Sequence, residues 1–443
     1  MCPHGENSHA DTPRAAIQSM EDLMNRKRLG LFGVIASAAL AITATVVPAA
    51  HAASEILIWA DETRGPHLTT LFAANPNVIP GSTIKVVSFS SYDALGDALD
   101  KYTGSAGPDI FIGGNDWVTK LAKSGKLAPV TLTASQKSKF AATNFFDLTY
   151  KKKIYGVPVD INNVAMVYNT KLVTTAPKTY GDMVDFYKAN KVSKGLKAGL
   201  CFTGGGMAWG GLSGLSALGA DPYFMRAKGV PDVYKGFNGT TFGNNVKKYL
   251  LDANGKSNGF FPATDTGCAD NFKAGLVPYA TLGNWEWKKY ADLGFTMNFM
   301  PVPGVVAGTY GHMFGSVNGA FLTTNAEKHG VAVAAKSLLT GYFASAAGQI
   351  AYEAIELRPP ANLDAQASAS VSEAQKNMAN AATLAGIPQI GAFLGSNAGG
   401  ANYWDSSGGY WTAVLVQGKD AVVEGKKLAA MWKKNVAVGK ADL

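Results

Sequence analysis

Residues 82–112 read STIKVVSFSSYDALGDALDKYTGSAGPDIFI. Ser82 to Phe89 alternates apolar and polar side chains as a strand does, and Tyr92 to Tyr102 has the spacing of an amphipathic helix. Asp109-Ile-Phe-Ile112 is a continuous apolar run, suited to a strand buried on both faces. Working outward, Ile56-Leu-Ile-Trp59 is a further short strand. Leu68 to Ala74 is helical after a Gly65-Pro66 turn. Strand, helix, strand, helix, strand predicts parallel βαβ units, so the fold class is α/β. On the other side, Asn115-Asp116 is a good N-cap pair for a helix from Trp117 to Ala122 that stops at Ser124-Gly125.

The alternation then pauses. Tyr155-Gly-Val-Pro-Val159 and Val164-Ala-Met-Val-Tyr168 are two β-rich pieces joined by the polar Asp160-Ile-Asn-Asn163, which reads as a connection between domains. Beyond it the α/β pattern restarts, with a helix from Thr179 to Ala189, a strand Gly199-Leu-Cys-Phe202, a Thr203-Gly-Gly-Gly206 turn and a helix to about Leu218. The C-terminal third is strongly helical, over 332–352, 370–384 and 411–432.

Composition narrows the class. The chain has 443 residues, 47% hydrophobic and 16% charged, with 50 glycines and three cysteines, which excludes disorder and a disulfide scaffold. The length suits two or three domains. A formal net charge of +8 suggests nucleic acid until it is located: Lys151 to Lys153 is the longest basic run and the rest is scattered, whereas a nucleic-acid surface needs a stripe.

At the N-terminus, Asn25-Arg-Lys-Arg28 precedes an apolar stretch from Leu29 to Val47 and the small residues around Ala50-His51-Ala52. A basic region, an apolar region and a small-x-small site predict a secretory signal peptide cleaved after Ala52, with an uncleaved anchor as the alternative. Export to an oxidising compartment makes Cys201 and Cys268 a candidate disulfide; two buried thiols are the other reading.

Six short motifs carry a family resemblance: Trp59-Ala-Asp-Glu-Thr-Arg-Gly65, Gly107-Pro-Asp-Ile-Phe-Ile112 with Asn115-Asp116, Ser124-Gly-Lys-Leu127, Tyr155-Gly-Val-Pro158 with Val167-Tyr-Asn169, Leu282-Gly-Asn-Trp285, and Gly386-Ile-Pro-Gln389. In that order, over about residues 55 to 435, they resemble the maltose-binding type of extracellular solute-binding protein that serves ATP-binding-cassette importers. The resemblance implies two α/β lobes joined by crossover strands, with sugar held in the cleft between them. It places lobe 1 at 53–160 plus 311–368 and lobe 2 at 164–300 plus 373–443. The crossovers fall at 160–163, 301–310 and 363–372, after a leader over 1–52. It also implies a periplasmic or extracellular monomer whose partners are an oligosaccharide and a membrane permease, with no nucleic acid and no cofactor.

A neutral oligosaccharide presents hydroxyls and apolar C–H faces, so its site needs carboxylates, amides and flat aromatic platforms. Trp285-Glu286-Trp287 follows the run Val277 to Leu282, where a parallel strand ends, and ligand clefts lie outside the carboxyl ends of such strands. The resemblance puts the main stacking tryptophan at Trp285. Asn115, Asp116 and Trp117 sit at the end of another strand, where Asp116 matches a sugar-binding aspartate and is also placed to cap a helix. Arg64, beside Asp61 and Glu62, falls at a basic cleft position, with a solvated surface residue as the alternative. Three departures stand out. Gly113 occupies the place of a family tryptophan, Trp117 that of an arginine, and Asn162 that of a glutamate. A helix-initial platform is matched only loosely, at Gly206-Met207, with Trp209 two residues later. Leu394 replaces a second one, leaving Tyr403 and Trp404 as further candidates after a Gly/Ser/Asn-rich insertion.

Enzyme signatures are missing from the sequence: no phosphate loop, no His-Glu-x-x-His, no Cys-x-x-Cys and no Gly-x-Ser-x-Gly. A glycosidase carboxylate pair has no marker of its own. The expectation is therefore a binding protein for maltose or maltodextrin, with trehalose or another oligosaccharide second and a secreted carbohydrate-active enzyme behind it.

Overall fold

A computed structural model describes residues 54–441, with breaks at 203–205, 223–235, 263–266, 287–289, 291–297, 357 and 389–390. The leader over 1–52 and Trp287 lie outside the described residues. The opening reads as the sequence dictates. Strand β1 (Ser54–Ala60) pairs in parallel with β2 (Ser82–Ser88) and β3 (Ile110–Gly114). Helices α1 (Arg64–Ala74) and α2 (Tyr92–Lys101) form the crossovers. The Ser91 hydroxyl caps α2 by accepting from Ala94 N at 3.0 Å. Every side chain of β3 is buried, as its unbroken apolar run requires.

The predicted polar waist is one strand rather than two. Strand β4 runs without interruption over Gly156–Tyr168, and Asp160, Ile161 and Asn163 in the middle of it are tied to distant parts of the chain. Asp160 Oδ1 accepts from Asn318 Nδ2 at 2.5 Å, Asn163 Nδ2 donates to Met378 O at 3.1 Å, and Asn284 Nδ2 donates to Ile161 O. A buried strand tolerates polar side chains only when they are hydrogen-bonded in this way.

The sheet continues through β5 (Leu200–Phe202), β6 (Tyr279–Gly283), β7 (Asn298–Met300), β8 (Met313–Leu322) and β9 (Gly386–Ile387). Its order is β2-β1-β3-β8-β4-β6-β5, with β7 on β4 and β9 on β8. Strand β8 lies antiparallel between β3 and β4, so two long strands cross the middle of the sheet side by side.

Two hydrophobic cores form along it. The first gathers Ile56 to Ile161 with Val317 to Phe343, Tyr352 and Ala361. The second gathers Val164 to Val302 with Met313, Phe314 and the C-terminal residues Met378 to Val436. On β4 the division falls at Asn162–Asn163, and on β8 between Phe314 and Val317.

Two of the expected crossover positions differ. Residues 301–310 do not pass between the cores: Val302–Pro303 pairs with Tyr310–Gly311 as a hairpin, and Val302 belongs to the second core. Its turn is closed by Gly304 N donating to Thr309 O at 2.8 Å, with Gly308 at φ +80° supplying the left-handed residue. The passage is made by β8 instead. Over 363–372 the chain makes the short helix Leu363–Gln366, capped by Asn362, and the transition falls within the following helix, Glu373–Ala385. That helix places Ala379 in the first core and Met378, Ala381 and Ala385 in the second.

The predicted C-terminal helices are also more broken than their pattern. The first divides into Ala332–Ser337, a π-helical stretch Leu338–Phe343 and Ala346–Glu356, and the last into Tyr403–Trp411, a π-helical stretch Thr412–Val416 and Ala421–Ala441. Cys201 and Cys268 are bonded, with Cα atoms 5.7 Å apart, tying β5 to the helix Cys268–Lys273.

Candidate functional site

A cavity of about 500 Å³ opens where the carboxyl ends of β1 and β3 meet the two crossing strands and the turn after β6. From the first core it is lined by Asp61, Glu62, Thr63, Arg64, Tyr92, Asp93, Asp116, Asn318 and Arg358. Asn162 contributes from the division point on β4, and Trp209, Trp285 and Glu286 from the second core. The volume suits a small ligand.

Its floor is charged and internally hydrogen-bonded. Asp61 follows β1, and its Oδ1 accepts from Thr63 N at 3.0 Å, Thr63 Oγ1 at 2.9 Å and Arg64 N at 2.9 Å, satisfying donors at the start of α1. The other oxygen binds Arg64 Nη1. Burial pushes the Asp61 carboxyl up, but Arg64, Arg358 and the Thr63 hydroxyl together outweigh it and hold it at about 2. Arg64 also reaches β4, with Nε 3.7 Å from Asp160 Oδ2. Arg358 Nη2 donates to Thr63 Oγ1 at 3.2 Å. Its backbone is set in place because the segment runs along β4, where Ile161 N donates to Pro359 O at 2.8 Å.

Asp116 sits in the short turn after β3 and receives the Tyr92 hydroxyl on Oδ1 at 2.7 Å. Burial raises its carboxyl above the usual range; the Tyr92 hydrogen bond pulls the other way, and Asp93 adds to the rise. Asn115, by contrast, is buried and turned to β8, where Nδ2 donates to Ser316 Oγ at 2.9 Å. Trp117 does not line the cavity. Its ring lies on Tyr92, 4.4 Å between centroids, and near Phe111.

The aromatic wall comes from the second core. Gly283, Asn284, Trp285 and Glu286 form a tight turn, closed by Glu286 N donating to Gly283 O at 2.9 Å and by Gly283 N donating to Glu286 Oε2 at 3.2 Å. Asn284 N donates to Asn163 O at 3.1 Å, so the turn is fastened to β4. Trp285 is 37% exposed, enough to offer a face to a ligand. Trp209, on the short helix Gly206–Gly210, meets Trp285 and stacks on Phe314 at 6.1 Å. Tyr403 and Trp404 stand behind this wall. Tyr403 is fully buried and donates its hydroxyl to Ala208 O at 2.8 Å, holding the helix that carries Trp209, while Trp404 packs on Phe314.

Of the residues named from sequence, Asp61, Glu62, Arg64, Asp116, Asn162, Trp209, Trp285 and Glu286 therefore share one cavity, and Asn115, Trp117, Tyr403 and Trp404 support it from outside. Sequence reasoning missed Thr63, Tyr92, Asp93, Asn318 and Arg358. Asn318 did carry a signal, an amide inside the apolar run Val317 to Leu322. Arg358, ahead of Pro359-Pro360, carried a weaker one.

Residues 74–380 match the family model described as bacterial extracellular solute-binding protein. The chain belongs to that family. Among relatives of this solute-binding protein, the maltotriose-binding protein of Pyrococcus abyssi is 26% identical over 218 residues, covering 45% of this chain and 43% of that one. A maltooligosaccharide ABC transporter solute-binding lipoprotein of Streptococcus pneumoniae is 33% identical over 109 residues, covering 24% and 25%. The matched stretches thus span less than half of either relative. A crystal structure of a cyclo/maltodextrin-binding protein complexed with maltotetraose superposes with a TM-score of 0.66 at 20% identity, covering 86% of this chain and 96% of that chain. That likeness establishes the fold: α/β, of the solute-binding type.

Proposed function

We propose that this solute-binding protein captures maltose or a maltodextrin in the cavity between its two cores and delivers it to the permease of an ATP-binding-cassette importer. The observation that carries the reading is the pairing of surfaces in one cavity: an exposed tryptophan face from the second core, and carboxylate, amide and guanidinium groups from the first. Apolar sugar faces stack on the former and sugar hydroxyls bond to the latter. The relatives' ligands support the maltooligosaccharide class, with trehalose or another oligosaccharide as the second candidate.

In this reading the protein binds without turnover. Asp61 is committed to Arg64 and to the start of α1, which takes it out of acid–base work. The chain is exported, its leader is cleaved after Ala52, and it acts as a monomer in the periplasm or outside the cell. A thermal-shift panel of maltose, maltotriose, longer maltodextrins and trehalose tests this directly. At a hundred times its dissociation constant the true ligand stabilises by about 2.7 kcal/mol. New reducing ends after incubation with maltodextrin would replace the binding reading with an enzyme.

A further inference from the structure

The two departures at Gly113 and Trp117 belong together. A Cβ at Gly113 would meet Trp117 Cζ3 at 2.8 Å, and one at Gly96 would meet Cζ2 at 3.0 Å, so the indole fills space that larger residues at those positions would occupy. From there Trp117 backs the ring of Tyr92, inclined at 32° to it. Tyr92 in turn lines the cavity and is only partly buried. A Cβ at Gly114 would strike both the Tyr92 hydroxyl and Asp116 Oδ1, so that glycine leaves the room in which the two groups meet. With only glycine at 113 and 96, the Trp117 indole fits behind Tyr92 and supports it on this wall of the cavity.

We propose that Tyr92 is a specificity-determining residue of the cleft: its ring is the first lobe's aromatic wall, and its hydroxyl holds Asp116 so that Oδ2 is left as the acceptor for a sugar hydroxyl. This rests on the oligosaccharide reading above. A hydroxyl hydrogen-bonded to a carboxylate favours the charged, acceptor-only form. Burial and Asp93 on α2 oppose that form at Asp116; the Tyr92 hydrogen bond favours it, with a smaller contribution from the backbone N–H of Asp116 itself. Further charged neighbours of the pair are Asp61, just after β1, and Arg64, at the start of α1, both of which face Tyr92. Strand β8, packed against the Asp116 turn, carries no ionisable side chain, and α3 (Val118–Lys123) contributes Lys120 and Lys123. Tyr92 is thus a positioning residue for Asp116 as well as a contact surface.

Tyr92→Phe keeps the ring and removes the donor; Tyr92→Leu removes both. Two readouts separate the contributions. Without sugar, the 13C carboxyl titration of Asp116 should move to higher pH in Tyr92→Phe, by about one pH unit, as loss of a charge-assisted hydrogen bond requires. With maltotriose, Tyr92→Phe should bind about five- to tenfold more weakly at pH 7.5 and lose affinity on acidification at a higher pH than the wild type does. Tyr92→Leu should lose more at every pH. Thermal unfolding shows whether each variant is folded. An unchanged Asp116 titration together with unchanged maltotriose affinity in Tyr92→Phe overturns the inference. A wild type with no affinity for maltotriose defeats the functional reading and the sugar-wall part with it, while the titration still decides the hydroxyl's hold on Asp116.

Discussion

Trp209 and Trp285 meet edge to face, 5.5 Å between ring centroids with their planes at 60°. The contact fixes the orientation of the Trp285 ring while leaving 37% of the residue exposed, which is what a stacking platform needs. Trp285→Ala should therefore weaken maltotriose binding by about 1–3 kcal/mol, on the scale of base–aromatic stacking. Its unfolding temperature should stay close to the wild type's. Calorimetry showing full affinity in the variant would remove Trp285 from the ligand's surface.

Asp116 should be graded in its response. Asp116→Asn keeps one acceptor for a sugar hydroxyl and for the Tyr92 hydroxyl, whereas Asp116→Ala strands the Tyr92 donor in a partly buried wall. Alanine should cost more affinity than asparagine in side-by-side titrations. Equal losses would assign the effect to charge alone.

Reduction should destabilise the second core. The Cys201–Cys268 bond closes a loop with a sequence separation of 67, and the chain-entropy relation gives about 4 kcal/mol for such a crosslink. Urea unfolding with and without reductant measures the difference, and a Cys201→Ala/Cys268→Ala variant should match the reduced protein. A change below about 1 kcal/mol would contradict it.

Two groups set opposite pH trends in stability. Burial lowers the His329 imidazole's affinity for a proton, but hydrogen bonds to Ser105 O at 2.8 Å and Asp109 Oδ1 at 2.7 Å raise it further, leaving a net rise above 6.5. That contribution is complete below pH 6.5 and is lost as pH rises through the folded-state value. Asp61, held at about 2 against an ordinary 3.8, contributes above pH 3.8 and loses its contribution as pH falls toward 2. Denaturant unfolding across pH 2–9 should show His329→Gln flattening the alkaline limb and leaving the acid limb in place. A variant whose alkaline limb kept the wild-type slope would exclude His329.

What the sequence revealed and what it concealed have physical causes. Strand β3 and the turn at Trp285 were legible because an apolar run ending in polar residues marks a strand's carboxyl end. The waist at 160–163 was misread as a break between two strands, since partners such as Asn318 and Asn284 lie more than a hundred residues away. Tyr403 looked like a cleft aromatic and is core. Aromatic density near a C-terminus does not say which face a helix buries, and Tyr403, Tyr410, Trp411 and Trp432 are all enclosed among neighbouring helices. Tyr92 left no local trace, and Arg358 only a weak one, because each becomes a site residue only through the register of elements packed beside it.

The central claim is that one maltooligosaccharide occupies the cavity between the two cores without being cleaved. Calorimetric titration of maltotriose into residues 53–443 tests it most directly. The account predicts a single site of about micromolar or tighter affinity, near −8 kcal/mol, with heat that returns to baseline after each injection. No binding up to millimolar maltotriose, or a continuing heat signal from hydrolysis, would contradict it.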